Sequence, residues 1–295
     1  MKKNQSSRSA EGVAYFRAIE AQRPVSERIC YDPYARVLIP GVILYSLFKL
    51  MINSGIYERI APGATAFIVG RERYIDDFLK ASLLEGVDQV VILGVGFDTR
   101  AYRIPGIEKT RVFEIDHPDT QAVKLDRLKK VINPLPSYVT FIPVDFNTQQ
   151  LGERLQSSGY NEQGKTLFIW QGVTYFLTQE GVDNTLGFIA NHSGDGSAVI
   201  FDYFYNETLH DTSRGYGKMM KQAARVGGEA YLFGIDQGQI EPFLTQRGFH
   251  DIHNVTLEDL KPLYFTGSNA GRVLPKGIAI VSARVSTPRK HHPSG

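Results

Sequence analysis

The stretch Val90-Val91-Ile92-Leu93-Gly94-Val95-Gly96-Phe97-Asp98-Thr99-Arg100 runs from an unbroken apolar segment straight into a turn carrying two glycines. A short apolar run closed by turn residues reads as a buried strand. Glycine after such a strand lets another group approach the backbone closely, because a Cβ would fill that space. In a doubly wound sheet this turn falls at the carboxyl edge of the first strand, where ligands bind.

Moving outward, the same short apolar pattern recurs, and strands are expected at Gln89–Leu93, Arg111–Ile115, Tyr138–Val144, Thr166–Trp170, Ala198–Tyr203, His250–Val255 and Ile278–Val285. Helical sequence separates them up to the fifth strand. That alternation predicts an α/β fold, a doubly wound, mostly parallel, Rossmann-like sheet covered on both faces. The last two strands are joined by a connection whose one helical hint is Leu257 to Leu260, which predicts an antiparallel hairpin closing the sheet. Ahead of the first strand, Phe67, Ile68, Ile75, Phe78, Leu79 and Leu83 recur at helical spacing, so Ala64–Leu84 reads as one long amphipathic helix.

From Arg8 to about Leu50 the pattern is helical, with Ser26 as an N-cap and Asp32-Pro33 as a break or a fresh helix start. The apolar stretch Val37 to Ile52 is interrupted by Pro40-Gly41 and Lys49, and falls short of the ~20 apolar residues of a spanning helix. It reads as a helix that packs on the domain or covers a pocket. The expected organisation is an arm and helical cap over 1–63, the main domain over 64–288 with a lid insertion at about 204–234, and a tail over 289–295.

Bulk properties narrow the ligand. Thirty-three basic residues against 31 acidic ones give a net charge of +2, no field suited to nucleic acid, so a small-molecule substrate is expected. Cys30 is the one cysteine, which excludes an internal disulfide and a multi-cysteine metal site and fits a reducing, cytoplasmic setting. No metal is expected; His291 and His292 read as part of the tail. The basic, polar N-terminus lacks the apolar core of a secretory leader.

Acidic residues close the next two strands. Glu114 and Asp116 lie roughly twenty positions beyond the glycine turn, where a carboxylate accepts both hydroxyls of a ribose. Asp145 closes the third strand, placed to accept from an exocyclic amino group, with Phe146 beside it for adenine. A dinucleotide fingerprint needs a third small residue at position 99, and Thr99 departs from it. With no phosphate-binding lysine loop either, the ligand implied is adenosine without phosphates, and S-adenosylmethionine is the commonest such cofactor. Its carboxylate needs a cation, for which Arg71 and Arg73 are candidates, and its ammonium needs an acceptor, for which Gln171 is placed after the fourth strand. Gly94 and Gly96 complete the cofactor set. Trp170 and Tyr175 are either core or chamber residues, and Tyr175 and Tyr203 are the candidates to wall the methyl-transfer chamber.

These residues form a pattern. Gly94 to Arg103, Phe113-Glu-Ile-Asp-His-Pro118, Val144-Asp-Phe146 and Gln171-Gly-Val-Thr-Tyr-Phe-Leu177 together resemble the leucine carboxyl methyltransferase family, and the likeness extends to Arg71 to Leu79, Phe233-Gly-Ile235 and Arg247-Gly-Phe249. The resemblance implies a seven-stranded class I methyltransferase sheet. It also implies cofactor contacts from one arginine of the Arg71 and Arg73 pair, Gly94, Asp116, and Asp145 with Phe146, and it favours Asp116 over Glu114. One departure stands out: the family usually has a glutamate where this chain has Gln171.

The function expected is O-methylation of a carboxylate, or a hydroxyl, on a small and fairly apolar acceptor. A carboxylate is already ionised and needs no base, whereas a phenol, with a pKa near ~10, needs one, for which His117 and His210 are the nominees. Two other readings stand beside it. One is a nicotinamide-dependent oxidoreductase, disfavoured by Thr99 and the acid closing the third strand; the other is a non-catalytic methyltransferase-like binding domain, suggested by Gln171.

Overall fold

The computed structural model describes residues 8–144, 149–211 and 230–285. Seven strands form one sheet: β1 (Gln89–Leu93), β2 (Arg111–Asp116), β3 (Val139–Pro143), β4 (Thr166–Trp170), β5 (Ala198–Phe204), β6 (Phe249–Thr256) and β7 (Ile278–Val285). Their order is β3-β2-β1-β4-β5-β7-β6, with the first five parallel and β7 antiparallel to both β5 and β6. The strand expectations hold to within a residue or so at each end. The closing hairpin also forms, but β7 threads between β5 and β6, so the last strand and not the sixth extends the parallel sheet.

The described helices are α1 (Arg8–Glu20), α2 (Val42–Asn53), α3 (Ile56–Ile60), α4 (Ala64–Leu84), α5 (Arg100–Arg103), α6 (Pro118–Leu128), α7 (Leu151–Ser157), α8 (Gln179–Asn191), α9 (Asn206–His210), α10 (Ile240–Thr245) and α11 (Leu257–Tyr264). The sheet separates two cores by the parity of its side chains. Val90, Ile92, Leu167, Ile169, Ile200 and Ile280 face a core shared with α4 and α11, while Val91, Leu93, Phe168, Trp170, Phe201 and Val281 face the opposite one, shared with α8 and α10. At the centre of the sheet both layers are buried, which is why β1 and β4 run almost continuously apolar, whereas β6 at the edge is polar and largely unburied.

The stretch between α1 and α2 departs from the helical expectation. Ser26 lies in a turn, not at an N-cap, and the Asp32 carboxylate accepts from the N–H groups of Tyr34 and Ala35 at 2.9 and 3.0 Å, a side-chain turn that replaces helix. The insertion expected at about 204–234 falls largely outside the described residues; its described ends are α9 and a bridge between Tyr205 and Ile235. The expected tail also lies outside them. Among the described residues no helix is long and apolar enough to cross a membrane.

Candidate active site

The carboxyl ends of β1, β2 and β4, with α1 lying across them and α4 along one side, enclose a cavity of about 370 Å³. That is within the range of small-molecule sites. The glycine turn forms its floor. Gly94 has φ +61°, and a Cβ there would fall 2.5 Å from Cγ2 of Val173; Gly96 has φ +49°, and a Cβ would fall 3.0 Å from Cβ of Ala10 in α1. Left-handed backbone and close packing by the chain itself thus both demand glycine here.

Leu93 pairs with Ile115, so Asp116 is one step beyond, level with Gly94. One Asp116 oxygen accepts the Gly96 N–H and the other accepts the His117 N–H at 2.6 Å. Burial pushes this carboxyl above its usual range, opposed by those two N–H groups. Glu114, the alternative, is fully buried and paired with Lys124 at 2.7 Å, away from the cavity lining.

At the other end, Arg71 is buried on α4 and its guanidinium meets the Asp202 carboxylate at 2.5 Å and the Tyr175 hydroxyl at 3.5 Å. Desolvation works against its charge, but Asp202 outweighs it and the guanidinium stays protonated. Asp202 also accepts the Gly172 N–H at 2.6 Å, tying the turn after β4 to β5. Gln171 donates its amide to Glu72 at 3.0 Å. Besides Nε of Arg17, which faces the Asp32 carboxylate at 3.5 Å, two buried polar atoms of this lining are left without a hydrogen-bond partner among the described residues: Nε of Arg71 and Oε1 of Gln171. One is a donor and the other an acceptor, the complement of an amino acid's carboxylate and ammonium. These residues fit the amino-acid end of S-adenosylmethionine.

Behind the glycine turn lies a dense charge cluster. Arg100 meets Asp76 at 2.7 Å and also pairs with Asp98; Arg103 meets Asp76 at 2.6 Å and Glu72 at 2.7 Å; Arg17 reaches from α1 to Glu72 at 3.3 Å. Phe67, Tyr175, Phe176, Phe204 and Tyr231 line the cavity as an aromatic wall, with Tyr175 centred 4.7 Å from both Phe176 and Phe204.

Of the residues expected from sequence, the cavity gathers Arg71, Gly94, Gly96, Asp116, Gln171 and Tyr175. Arg73 is not among them. Two residues further round α4, it points away from Arg71 and is held by Asp77 at 2.7 Å and by the Ile29 carbonyl at 3.3 Å. Tyr203 also lies elsewhere, because neighbouring side chains on a strand alternate: Asp202 and Phe204 face the cavity side, while Tyr203 is in the opposite core with its hydroxyl on Asn254 at 3.1 Å. Trp170 is a core residue on that same side, edge-on to Phe201 at 5.9 Å. His210 is exposed at the end of α9, outside the cavity. Asp145 and Phe146 lie outside the described residues. Among the described residues no group of three or more His, Cys, Asp or Glu could hold a metal.

Three contributors escaped sequence reading: Glu72, Arg17 and Asp202. For Asp202 a signal existed, since it continues the rule of acidic residues at strand ends. Arg17 had none, being separated from the cavity by the whole first quarter of the chain.

The fold and this cavity define a class I S-adenosylmethionine-dependent methyltransferase. Its relatives agree: the chain is 30% identical over 288 residues to a Bacillus subtilis protein provisionally named S-adenosyl-L-methionine-dependent methyltransferase YktD, covering 90% of this chain and 93% of that one. A similarly named protein of Mycobacterium sp. (strain JLS) is 28% identical over 265 residues, covering 82% of this chain and 83% of its own. In fold, the chain matches a duf574 family protein from Streptomyces avermitilis with a TM-score of 0.61 at 11% identity, over 96% of this chain and 98% of that one. The profile of the leucine carboxyl methyltransferase family matches residues 10–190, and the chain belongs to that family. An oxidoreductase is thereby set aside.

Proposed function

We propose that this enzyme transfers a methyl group from S-adenosylmethionine to an oxygen, most simply a carboxylate, of a small and fairly apolar acceptor. The observation that carries this reading is the contrast between the cavity's two ends. Aromatic rings wall one end, and the cavity's one described histidine, His117, sits at the other beside Asp116. Its Nδ1 already accepts the Asp119 N–H at 3.2 Å, capping α6. A carboxylate acceptor needs no base; a phenol needs one.

In this reading Asp116 accepts the ribose hydroxyls, with Asp145 and Phe146 as candidates for the adenine. The free Nε of Arg71 donates to the cofactor's carboxylate, and Oε1 of Gln171 accepts from its ammonium. When bound, the cofactor supplies a methyl group on a positively charged sulfur. The protein's part is alignment and exclusion of water, so the rings of Phe67, Phe176, Phe204 and Tyr231 desolvate the acceptor and hold it in line. Burial keeps the Tyr175 hydroxyl protonated well above its usual pKa, so it is able to orient an acceptor carboxylate by donating to it.

Incubating the enzyme with methyl-labelled cofactor and a panel of carboxylic acids and phenols tests the reading. Base-labile label on apolar acids is expected. Label confined to phenols would overturn it.

A further inference from the structure

Gln171 carries no charge, yet a carboxylate is present one contact behind it. Glu72 is completely buried, and one of its oxygens lies 3.0 Å from Nε2 of Gln171. A carboxylate only accepts, so the amide must turn its NH₂ inward and its oxygen outward. That other atom, Oε1, is buried in the cavity lining and has no hydrogen-bond partner among the described residues. Burial disfavours an ionised Glu72, but Arg100, Arg17 and Arg103 together outweigh it and keep the carboxyl below its usual range. The inward contact is therefore with a charged group and is correspondingly strong.

The charge count explains why an amide suits position 171. Three arginines of the cluster, Arg17, Arg100 and Arg103, already meet four carboxylates, Asp32, Glu72, Asp76 and Asp98. Arg71, the remaining neighbouring cation, is engaged by Asp202. No arginine of the cluster is left to neutralise a further acid at position 171.

We propose that Glu72 is a positioning residue for cofactor recognition: it locks the Gln171 amide so that a pre-oriented carbonyl oxygen faces the cofactor's ammonium, with the negative charge behind that contact carried at position 72. This rests on the cofactor seat proposed above.

Calorimetric titration of S-adenosylhomocysteine into the parent chain, Gln171→Glu and Gln171→Leu tests it, each run in two buffers of different ionisation enthalpy to count protons exchanged. The titratable and charged groups facing the site are Arg17 from α1, Cys30 and Asp32 from the turns before α2, Arg71, Glu72 and Asp76 from α4, Asp98, Arg100 and Arg103 around α5, Asp116 and His117 after β2, Tyr175 after β4, Asp202 on β5, and Tyr231. All are common to the three proteins, so the parent sets the baseline for their proton exchange and for the ligand's own ammonium. In Gln171→Glu two carboxylates share the former amide contact, so one holds a proton in the free protein. Binding the ligand's ammonium then expels it: the variant releases more protons than the parent, and its affinity rises more steeply with pH. Gln171→Leu, which leaves the arginines' contacts to Glu72 intact, binds about 10- to 100-fold more weakly. Gln171→Glu that binds as tightly as the parent at every pH, with no extra proton released, would overturn the proposal. No binding by the parent itself would instead reject the cofactor seat.

Discussion

At the scale of single residues, adjacent side chains on β5 do opposite work. Asp202 holds Arg71 in the cavity wall, whereas Tyr203 is packed into the far core with one hydrogen bond, to Asn254. Tyr203→Phe should cost about 1 kcal/mol in denaturant unfolding and leave methyl transfer unchanged. Asp202→Asn removes one charge of a buried pair and should cost about 3–5 kcal/mol while also weakening cofactor binding. Equal effects of the two on methyl transfer would contradict the assignment. Much of the candidate site was legible at this scale, because residues that close successive strands must meet at one sheet edge; Gly94 and Gln171 follow from that, whereas the choice of Asp116 over Glu114 came from the family resemblance. The choice between Arg71 and Arg73 was not legible. It depends on which face of α4 turns inward, and the partners that decide it, Asp202 and Asp77, are respectively distant in sequence and ambiguous in role.

At the scale of elements, the strands could be read because buried parallel strands are short, β-branched and bounded by turns. The segment from Ser26 to Pro40 could not, since its turns are set by the Asp32 side chain and by contacts with α1, not by periodicity. The part played by α1 was equally hidden: its role over the glycine turn arises from tertiary packing of Ala10, Val13 and Arg17. Glycines in the two elements should respond oppositely to alanine. Gly94→Ala imposes a left-handed backbone on a side chain that would lie 2.5 Å from Val173, and should cost about 2–4 kcal/mol. Gly12 in α1 has nothing within 4 Å of its Cβ position, and Gly12→Ala should stabilise by about 0.5–1 kcal/mol. Denaturation midpoints, taken with the slopes, decide the comparison; a Gly94→Ala midpoint equal to the parent's would refute the packing argument.

At the scale of the whole molecule, stability and cofactor affinity pull against each other at the sheet edge. Burial raises the Asp116 carboxyl, so its contribution to the stability of the ligand-free protein is fully present below the ordinary carboxylate range and is lost as pH rises through the raised value. Accepting two ribose hydroxyls needs the ionised form, so affinity for S-adenosylhomocysteine should grow through that same window, and should lose this dependence in Asp116→Ala. Glu72 behaves in the opposite sense: its folded-state value is depressed, so its stabilisation is present above the ordinary range and disappears only as pH falls through the depressed value. Ligand at about 100 times its Kd should add roughly 2.7 kcal/mol, a rise in Tm of about 4 °C for a chain of 295 residues. The measurement that tests the account most directly is a crystal structure of the chain with S-adenosylhomocysteine. The account predicts its ribose hydroxyls on Asp116 and its amino-acid end between Nε of Arg71 and Oε1 of Gln171. A ligand seated away from the β1 glycine turn, or reversed with adenine against Gln171, would contradict it.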